Sequence, residues 1–344
     1  MEKIAILGLG RTARAAAAYL MERGCSVAMW GRNAEEAARL REHGLNVVGA
    51  LTGHYAPAVC DEVADAVKGA QLILVSTLAA GHAPVARRIS GLLERGQRIV
   101  ILNGNWGAYE FMGILGEEAE EKQVEIAETG AQIFLADYDG DACRIKGIKK
   151  EISLASVHAH KAAQLCGELA QLFPQFVPES SVIATSLNNS NPVLHAPIAL
   201  FNITRMENGE TYSFYGDGAS RMTFSAVEKL DEERCAVARA MGAEPTACLD
   251  IINSFWPEQY NTLYDAVKNN AAYLSAAGPT HPGHRYLSED MPYGMAPVSR
   301  LGKVYGVATP CTDALLTCCR MLTGVDYLAQ CPAFEPALLQ RLLK

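Results

Sequence analysis

The chain has 344 residues, of which 49% are hydrophobic and 20% are charged, a balance typical of a folded globular protein long enough for two domains. Its formal net charge of −8 disfavours a large nucleic-acid interface, because such surfaces are basic. The longest apolar run, residues 72–80, is too short to cross a bilayer, and the N-terminus lacks the pattern of a signal peptide. The 10 cysteines fit neither a disulfide framework nor a zinc site. We therefore expect a cytoplasmic protein with no metal, nucleic-acid or membrane partner.

Segments typical of strands and helices alternate through the first half of the chain. Short apolar runs, the mark of strands buried on both faces, occur at residues 4–7, 26–30, 46–48, 72–76, 99–102 and 124–128. Helix-like stretches at residues 12–23, 34–43 and 84–95 lie between them, and Asn33 is placed to cap the second helix. This alternation predicts an α/β fold with a doubly wound parallel sheet of the Rossmann type.

The pattern changes near residue 137. Residues 142–146 and 151–155 are predicted to form a pair of strands around the turn 147–150. Helical periodicity dominates afterwards, at residues 159–173, 225–241, 246–254, 262–268, 297–305 and 311–322. We therefore predict an NAD(P)-binding Rossmann domain over residues 1–160 and a mainly α-helical substrate-binding and catalytic domain over residues 161–344, with the ligand cleft between them.

Residues 8–13, Gly-Leu-Gly-Arg-Thr-Ala, have the G-x-G-x-x-A pattern of dinucleotide-binding proteins, and they follow a buried strand and open a helix, as the motif requires. The first glycine permits a tight turn, the second lets the backbone approach a pyrophosphate, and the small third residue lets helix and strand pack closely. The helix N-terminus then presents free N–H groups to the phosphates. The residues assigned to the cofactor from this motif are Gly8, Gly10, Arg11, Thr12 and Ala13.

The end of the second predicted strand indicates which nicotinamide dinucleotide is bound. An acid there would bind the 2′-hydroxyl of NAD, but no acid lies between Cys25 and Asn33. Arg32 suits the 2′-phosphate of NADP instead, because a guanidinium group matches phosphate geometry. We therefore predict NADP, with Arg32 and Asn33 near that phosphate. NAD remains the alternative, in which case Arg32 is a solvated residue at a helix start.

Small polar residues follow the fourth and fifth predicted strands. Because the carboxyl ends of parallel strands line the ligand crevice of such sheets, we expect Ser76, Thr77 and Asn105 at the nicotinamide end of the cofactor. Asn103 and Asn105 flank Gly104, so ordinary turn chemistry is an alternative explanation for both asparagines.

One histidine, His195, follows a cluster of asparagine and serine residues in segment 186–197. Hydride transfer at a carbon bearing oxygen or nitrogen requires a nearby proton donor or acceptor, and histidine titrates near neutral pH. A histidine packed into the core is the alternative. A carboxylate that orients His195 would favour catalysis, and segment 284–294 offers Glu289 and Asp290, between which the sequence does not choose.

Taken together, the motifs resemble those of the octopine/nopaline (opine) dehydrogenase family. They occur in the family's order and comprise the G-x-G-x-x-A segment, Ala127-Glu128-Thr129, Asn191-Pro192-x-x-His195, Arg285-Tyr286-Leu287-x-Glu289-Asp290-x-Pro292-Tyr293-Gly294 and Val307-x-Thr309-Pro310. The resemblance implies reversible, NADPH-dependent reductive condensation of an α-keto acid with the amino group of an amino acid. It also implies a helical second domain and a His195–Asp290 dyad. We accordingly expect Thr129, Asn191 and Arg285 to bind substrate, with Arg285 meeting a carboxylate.

Two other functions are consistent with the sequence. The first is reduction of a keto acid or oxidation of a hydroxy acid, as in ketopantoate-reductase-like and 3-hydroxyacid dehydrogenase enzymes. Such enzymes use a lysine of the second domain, whereas Lys229 and Lys268 lie in no comparable polar motif. The second is an NAD(P)H-binding redox sensor, which would bind the cofactor without turnover. The expected partners are small-molecule substrates and a second copy of the chain in a homodimer.

Overall fold

The computed structural model describes residues 2–343, which form two compact units. The first extends to Thr185 and includes Ala337–Leu342, and the second covers Ser186–Pro336. The division therefore lies later in the chain than the boundary after residue 160 that the periodicity suggests. The reason is that a helix at Ala162–Leu169 and a strand at Phe176–Pro178 still belong to the sheet layer of the first unit.

The first unit contains two sheets built from twelve strands of the described chain. The strands are β1 Lys3–Leu7, β2 Ser26–Trp30, β3 Leu45–Gly49, β4 Gly53–Tyr55, β5 Ala58–Val59, β6 Leu72–Val75, β7 Arg98–Ile101, β8 Glu125–Thr129, β9 Phe134–Asp139, β10 Ala142–Ile148, β11 Ile152–Ser156 and β12 Phe176–Pro178. The larger sheet has the order β12-β11-β8-β7-β6-β1-β2-β5. Six neighbouring strands of this sheet run parallel, in the order β8-β7-β6-β1-β2-β5, which confirms the predicted Rossmann-type sheet.

Two predicted strands lie in unexpected places. Residues 46–48 were expected as the third parallel strand, but β3 belongs to the smaller sheet, of order β4-β3-β10-β9, and β5 takes the place beside β2. The predicted pairing of residues 142–146 with 151–155 is also wrong, because β10 pairs with β9 and β3, while β11 pairs with β8 and β12. Burial explains both differences. Strands β3 and β10 alternate buried and exposed residues, whereas β11 is buried almost throughout and fits the larger sheet.

Helices flank the sheets of the first unit and make up most of the second. Those up to the end of the first unit are α1 Arg11–Met21, α2 Ala34–His43, α3 Val63–Val67, α4 His82–Ile89, α5 Gly107–Glu121, α6 Ala162–Leu169 and α7 Val182–Leu187. Those that follow are α8 Ser190–Phe201, α9 Ile203–Glu207, α10 Arg221–Met241, α11 Cys248–Phe255, α12 Leu263–Asn269, α13 Ala271–Leu274, α14 Arg285–Ser288, α15 Ala296–Tyr305, α16 Pro310–Thr323 and α17 Pro336–Leu342. The last of these packs with the first unit. A π-helical turn, Met291–Met295, precedes α15. The second unit is therefore mainly α-helical, as predicted.

Helix α8 lies at the centre of the second unit. All of its residues from Pro192 to Leu200 are buried, and it contacts α10, α14 and the π-helical turn. A helix that is apolar around its whole circumference must be surrounded by other elements, because no face of it is suited to water. This helix is thus a rigid support for any side chain it carries. Over the stretch of chain that the structure describes, no helix combines the length and the apolar character needed to span a membrane.

Candidate functional site

The glycine-rich loop joins β1 to α1 where the strand order of the larger sheet changes direction, between β1 and β6. Gly8 has a φ of +145°, and a Cβ at this position would lie only 2.9 Å from the carbonyl carbon of Ser76. Its N–H donates to the Trp30 carbonyl at 2.7 Å. The loop therefore passes so close to the ends of β2 and β6 that only glycine fits at position 8.

The N-terminus of α1 is open to a ligand. Gly10 is its N-cap, no side chain among residues 2–343 caps the helix, and no acidic residue lies in its first turn. A Cβ added at Gly10 would meet no atom within 4 Å. The first-turn N–H groups, including those of Arg11 and Thr12, thus remain available to an anion, and the helix dipole favours one. Ala13 is fully buried against the sheet, which leaves the approach to these N–H groups free.

Arg14, which the sequence analysis did not single out, supports this loop from behind. Its side chain is 2% exposed, its Nε donates to the Leu9 carbonyl at 3.0 Å, and its guanidinium group is paired with Glu36. A single arginine within the otherwise apolar run of α1 was the available signal, because a buried guanidinium group needs polar partners. The neighbouring Arg11 forms an ion pair with Asp137 at 3.5 Å.

Arg32 and Asn33 follow β2. The Asn33 side chain accepts a hydrogen bond from the Glu36 N–H at 3.1 Å and so caps α2. Arg32 is exposed, and among the described residues its side chain has neither an ion pair nor a hydrogen bond. An arginine that no protein group engages is available to a ligand phosphate.

Ser76 and Thr77 follow β6, next to the glycine-rich loop. The Ser76 N–H donates to the Leu7 carbonyl at 2.9 Å, which places the two strand ends side by side. The Thr77 hydroxyl oxygen is buried and has no hydrogen-bond partner in the part of the chain described. Buried polar atoms are rarely left unpaired, so this hydroxyl points to a ligand or a water molecule as its partner.

The loop after β7 has an unusual backbone. Asn103, Asn105 and Trp106 have φ values of 59°, 44° and 69°, in the left-handed region that residues other than glycine rarely adopt. Asparagine tolerates this region, but the bulky Trp106 does so only where its surroundings impose it. Such strain is concentrated at functional sites. We refer to residues 103–106 as the β7 loop.

Two residues of β8 hold the β7 loop. The Thr129 hydroxyl accepts from the Asn103 N–H and donates to the Ala131 carbonyl, both at 2.8 Å, and its side chain is fully buried. In this arrangement Thr129 supports the loop and its hydroxyl donates within the protein, while the substrate-binding role expected from the sequence stays a prediction. Glu128, also fully buried, accepts from the Ala108 N–H at 2.9 Å.

His195 and Asp290 form a buried pair in the second unit. The Nδ1 atom of His195 lies 2.8 Å from Oδ2 of Asp290, and the two side chains are 11% and 1% exposed. The imidazole ring stacks on Tyr286, with ring centroids 4.1 Å apart. Such packing holds the ring in one orientation, and a hydrogen-bonded carboxylate selects the tautomer that carries its proton on Nδ1.

The close approach of two elements brings this pair together. A Cβ at Gly294, in the π-helical turn, would overlap the ring of Pro192 on α8. Glycine therefore lets the turn that follows Asp290 pack directly against the helix that carries His195. Asn191 lies one helical turn before His195, at the i, i+4 spacing that places two side chains on the same face of a helix.

Glu289 has a different partner from Asp290. Its Oε2 accepts from Nε of Arg285 at 2.7 Å and lies 2.6 Å from Nη2 of that residue. Burial alone would lower the pKa of Arg285, but the carboxylates of Glu289 and Asp290 raise it above its ordinary value. Arg285 is thus a permanent cation in the segment that also carries Asp290. Its charge is already shared with Glu289.

Comparison with known proteins gives the two units separate matches. Residues 178–323 match the family model described as NAD/NADP octopine/nopaline dehydrogenase, alpha-helical domain. Residues 4–120 match the model described as ketopantoate reductase PanE/ApbA.

Relatives match over nearly the whole chain. An opine dehydrogenase from Arthrobacter sp. (strain 1C) is 32% identical over 328 residues, which cover 94% of this chain and 91% of that protein. A D-nopaline dehydrogenase from Agrobacterium tumefaciens (strain T37) is 20% identical over 357 residues, which cover 91% of this chain and 84% of that protein.

Solved structures show the same fold. Octopine dehydrogenase in complex with NADH and agmatine matches with a TM-score of 0.77 and 18% identity, over 99% of this chain and 96% of that one. Other structures of octopine dehydrogenase contain NADH with L-arginine or with pyruvate. Yersinopine dehydrogenase with NADP+ bound matches with a TM-score of 0.75 and 14% identity, over 100% of this chain and 97% of that one. With the 32% identity to an opine dehydrogenase across both chains, these findings show that the protein belongs to the octopine/nopaline (opine) dehydrogenase family of NAD(P)-dependent oxidoreductases acting on CH–NH bonds.

Proposed function

We propose that this protein catalyses the reversible, NADPH-dependent reductive condensation of an α-keto acid with the amino group of an amino acid. The observation that carries the proposal is the buried His195–Asp290 hydrogen bond of 2.8 Å, on the helical unit that matches the opine dehydrogenase family. A positioned imidazole is the group needed to move protons at a carbon that bears oxygen and then nitrogen. The complexes of octopine dehydrogenase with L-arginine and with pyruvate support the same two substrate classes here.

The residues of the first unit fit a nicotinamide dinucleotide. The uncapped N-terminus of α1 and the open space at Gly10 suit the pyrophosphate. The Thr77 hydroxyl, which has no partner among the described residues, suits the polar nicotinamide end together with Ser76 beside it and Asn105 on the β7 loop. When bound, the dihydronicotinamide supplies the hydride that reduces the C=N carbon.

Arg32 supports NADPH over NADH. It is exposed and unpaired among the described residues, and Glu36, in the first turn of the following helix, is paired with Arg14. Arg11, 40% exposed and only loosely paired with Asp137, is a second cation within the same motif. The adjacent Asn33 is committed through its carbonyl oxygen to capping α2, which leaves its amide N–H group for a ligand.

The chemistry divides into condensation and reduction. The ammonium group of the amino acid loses a proton, its nitrogen attacks the keto carbon, and the resulting carbinolamine loses water to give an imine. The imine is protonated and accepts hydride at carbon, so that the keto acid, the ammonium form of the amino acid, NADPH and one proton give the secondary ammonium product, NADP+ and water. At least two of these steps need a group that first accepts and then donates a proton.

His195 is that group in our proposal. Its Nδ1–H donates to Asp290, so Nε2 is the atom that exchanges protons with the substrate. The carboxylate stabilises the imidazolium that forms while the proton is held. Because the pair is almost fully buried, water competes little for these hydrogen bonds.

Asn191 and Arg285 are the proposed substrate ligands of the second unit. Asn191 shares the helix face of His195 and is half-buried at the start of α8. Arg285 is a quarter exposed and retains donors beyond those that Glu289 occupies, which suits a substrate carboxylate. Thr129 contributes by holding the β7 loop through its hydroxyl, and direct binding of substrate by Thr129 stays a prediction.

Reduction of a keto acid without an amine is the second candidate, and the ketopantoate-reductase match of residues 4–120 favours it. That match covers only the dinucleotide-binding part. The lysines considered from the sequence are committed elsewhere, since Lys229 pairs with Glu232 on the surface at 2.9 Å and Lys268 donates to the Gly216 carbonyl. We therefore place this candidate second.

The deciding experiment is NADPH oxidation measured over a grid of α-keto acids and amino acids, with each substrate also tested alone. Oxidation that requires both substrates, with formation of a secondary amine detected by mass spectrometry, is the expected result. Oxidation with a keto acid alone would replace the proposal with the second candidate. Tight NADPH binding without turnover of any pair of keto acid and amino acid would favour a redox-sensor function. Cytoplasmic location and a homodimer remain proposals, and analytical ultracentrifugation tests the latter.

A further inference from the structure

We infer that Glu128 is a positioning residue for this reaction: its buried carboxylate fixes the conformation of the β7 loop and thereby the polar groups that the loop carries. The inference rests on the proposed function, because it assigns Asn105 of that loop to the nicotinamide end of the cofactor. Glu128 itself is fully buried, and its carboxylate accepts hydrogen bonds from the Ala108 N–H and the Thr185 hydroxyl.

The two carboxylate oxygens hold two separate segments. Oε2 accepts the N–H of Ala108, in the first turn of α5 directly after the β7 loop, at 2.9 Å. Oε1 accepts a hydrogen bond from the hydroxyl of Thr185, the residue after which the chain passes into the second unit, at 2.7 Å. A carboxylate is expensive to bury, and hydrogen bonds to both of its oxygens offset that cost. One side chain thus ties the start of α5 to the segment from which the chain enters the second unit.

Gly104 shows that the loop is shaped around this carboxylate. Its φ lies outside the left-handed region, so its backbone conformation is open to any residue. A Cβ at position 104 would nevertheless overlap the carboxyl group of Glu128, with Oε1 only 2.6 Å away. Glycine is therefore required at this position by the presence of Glu128 and not by the backbone.

The strained residues lie on either side of this contact. Asn103 precedes Gly104, and Asn105 and Trp106 follow it, all three with positive φ. Backbone strain of this kind persists only where neighbouring contacts over-determine it. Besides the carboxylate, those contacts include the hydrogen bonds from Asn103 and Gly104 to Thr129. Without Glu128 the loop has an open volume beside Gly104 and an unpaired Ala108 N–H, and we expect it to relax.

A double-mutant cycle between Gly104→Ala and Glu128→Ala tests the inference. Each single variant is expected to lower kcat by about 10²-fold, the usual cost of misplacing a polar group by roughly 1 Å. The double variant should be no slower than Glu128→Ala alone, because removing the carboxyl group makes room for the new methyl group. If the two losses multiply, the residues act independently and the inference is overturned.

Two further variants separate position from charge. Glu128→Gln keeps the shape and can accept from the Ala108 N–H, while the Thr185 hydroxyl donates instead to the Val182 carbonyl, which already lies 2.9 Å away. It should recover at least about tenfold of the loss in kcat seen with Glu128→Ala. A loss as large as that of the alanine variant would assign Glu128 a role through its charge and overturn a positioning role. Thr185→Val, which removes one donor and keeps the shape, should lower kcat less than Glu128→Ala does.

Binding and fluorescence provide readouts that do not depend on turnover. The dissociation constant for NADPH should change less than about threefold in Glu128→Ala, because the glycine-rich loop is untouched. In a Trp30→Phe/Trp256→Phe background, Trp106 is the sole tryptophan, and it is 1% exposed. Its emission should shift to longer wavelength on Glu128→Ala but not on Glu128→Gln. An unchanged emission with Glu128→Ala would overturn the inference, whereas absence of turnover in the wild-type protein would count against the proposed function alone.

Discussion

Replacing His195 with alanine is the most direct test of the proposed chemistry. The change removes the atom assigned to proton transfer and leaves Asp290, 1% exposed, without the imidazole that it contacts at 2.8 Å. General acid–base groups contribute about 10²–10⁴-fold to rate, which corresponds to about 3–5 kcal/mol in the activation barrier. We therefore expect kcat to fall by that factor. The dissociation constant for NADPH should stay within about twofold, because the residues that fit the dinucleotide belong to the first unit.

Stability needs a separate account in this variant. The second carboxylate oxygen of Asp290, Oδ1, is already buried with no partner among residues 2–343. Loss of the histidine leaves both oxygens unpaired, at a cost of about 1–3 kcal/mol for an unsatisfied buried group and more for a charged one. Asp290→Asn avoids most of this cost, because His195 remains as a hydrogen-bond partner and the amide is neutral. It should still lower kcat, by as much as about 10⁴-fold, because an amide that donates to Nδ1 selects the wrong tautomer.

The assay is the initial rate of NADPH oxidation at saturating keto acid and amino acid, with thermal unfolding and NADPH fluorescence titration of each variant. His281→Ala is the matched control, since His281 is exposed on the segment just before α14. Near-wild-type kcat in His195→Ala would refute the role of His195. An equal loss in the control, or an NADPH affinity that falls as far as kcat does, would refute the separation of roles between the two units.

Three further predictions concern the first unit. Arg32→Ala should weaken NADPH binding about 10- to 150-fold, the equivalent of losing about 1.5–3 kcal/mol of charged hydrogen bonds, and should leave NADH binding nearly unchanged; equal losses for the two cofactors in fluorescence titrations would remove the 2′-phosphate role. Gly8→Ala should lower the unfolding temperature of the cofactor-free protein, because the new Cβ meets the Ser76 carbonyl at a φ of +145°. Gly10→Ala should leave that temperature unchanged but weaken NADPH binding, because its Cβ enters the open space that we assign to the pyrophosphate. The same response in both variants would contradict this assignment. Burial lowers the pKa of His82 from its ordinary 6.5 to about 4, so the unfolded chain binds more protons between these values and stability falls as the pH drops through that window. The fall should reach about 3 kcal/mol in urea unfolding and should be smaller by that amount in His82→Leu; an identical pH dependence in both proteins would show that His82 is not the cause.

Much of the first unit follows from local sequence signals. The bounds of α2 agree with the periodicity at both ends, because Asn33 and Gly44 are a side-chain cap and a left-handed terminator that act within a few residues. The strand, glycine-rich loop and helix at residues 3–21 are similarly encoded by neighbours in the chain. The family resemblance, which the comparisons confirm, then identified His195 and Asp290 as partners.

Tertiary contacts decided what local patterns leave open. The sequence pattern predicts β3 as a member of the parallel sheet and β10 as half of a hairpin with β11. Only the burial of their faces against α1 and each other assigns both strands to the smaller sheet. The role of Glu128 was equally hidden, since its partners Ala108 and Thr185 lie 20 and 57 residues away. No periodicity links residues at such separations, because the contacts arise from the order of strands in the sheet.

The histidine–aspartate pair shows the same division most clearly. Glu289 and Asp290 are neighbours in the chain, each able to orient an imidazole, so the residues alone favour neither. Glu289, at the end of α14, forms its ion pair with Arg285 one turn earlier. The π-helical turn packs against α8 where Gly294 meets Pro192, and this contact brings Asp290 to His195. The sequence supplied the chemical groups of the site, and the packing of α8 against that turn selected the pair. A hydrogen bond of 2.8 Å depends on where the two elements meet in space, and the local sequence of either element does not determine that.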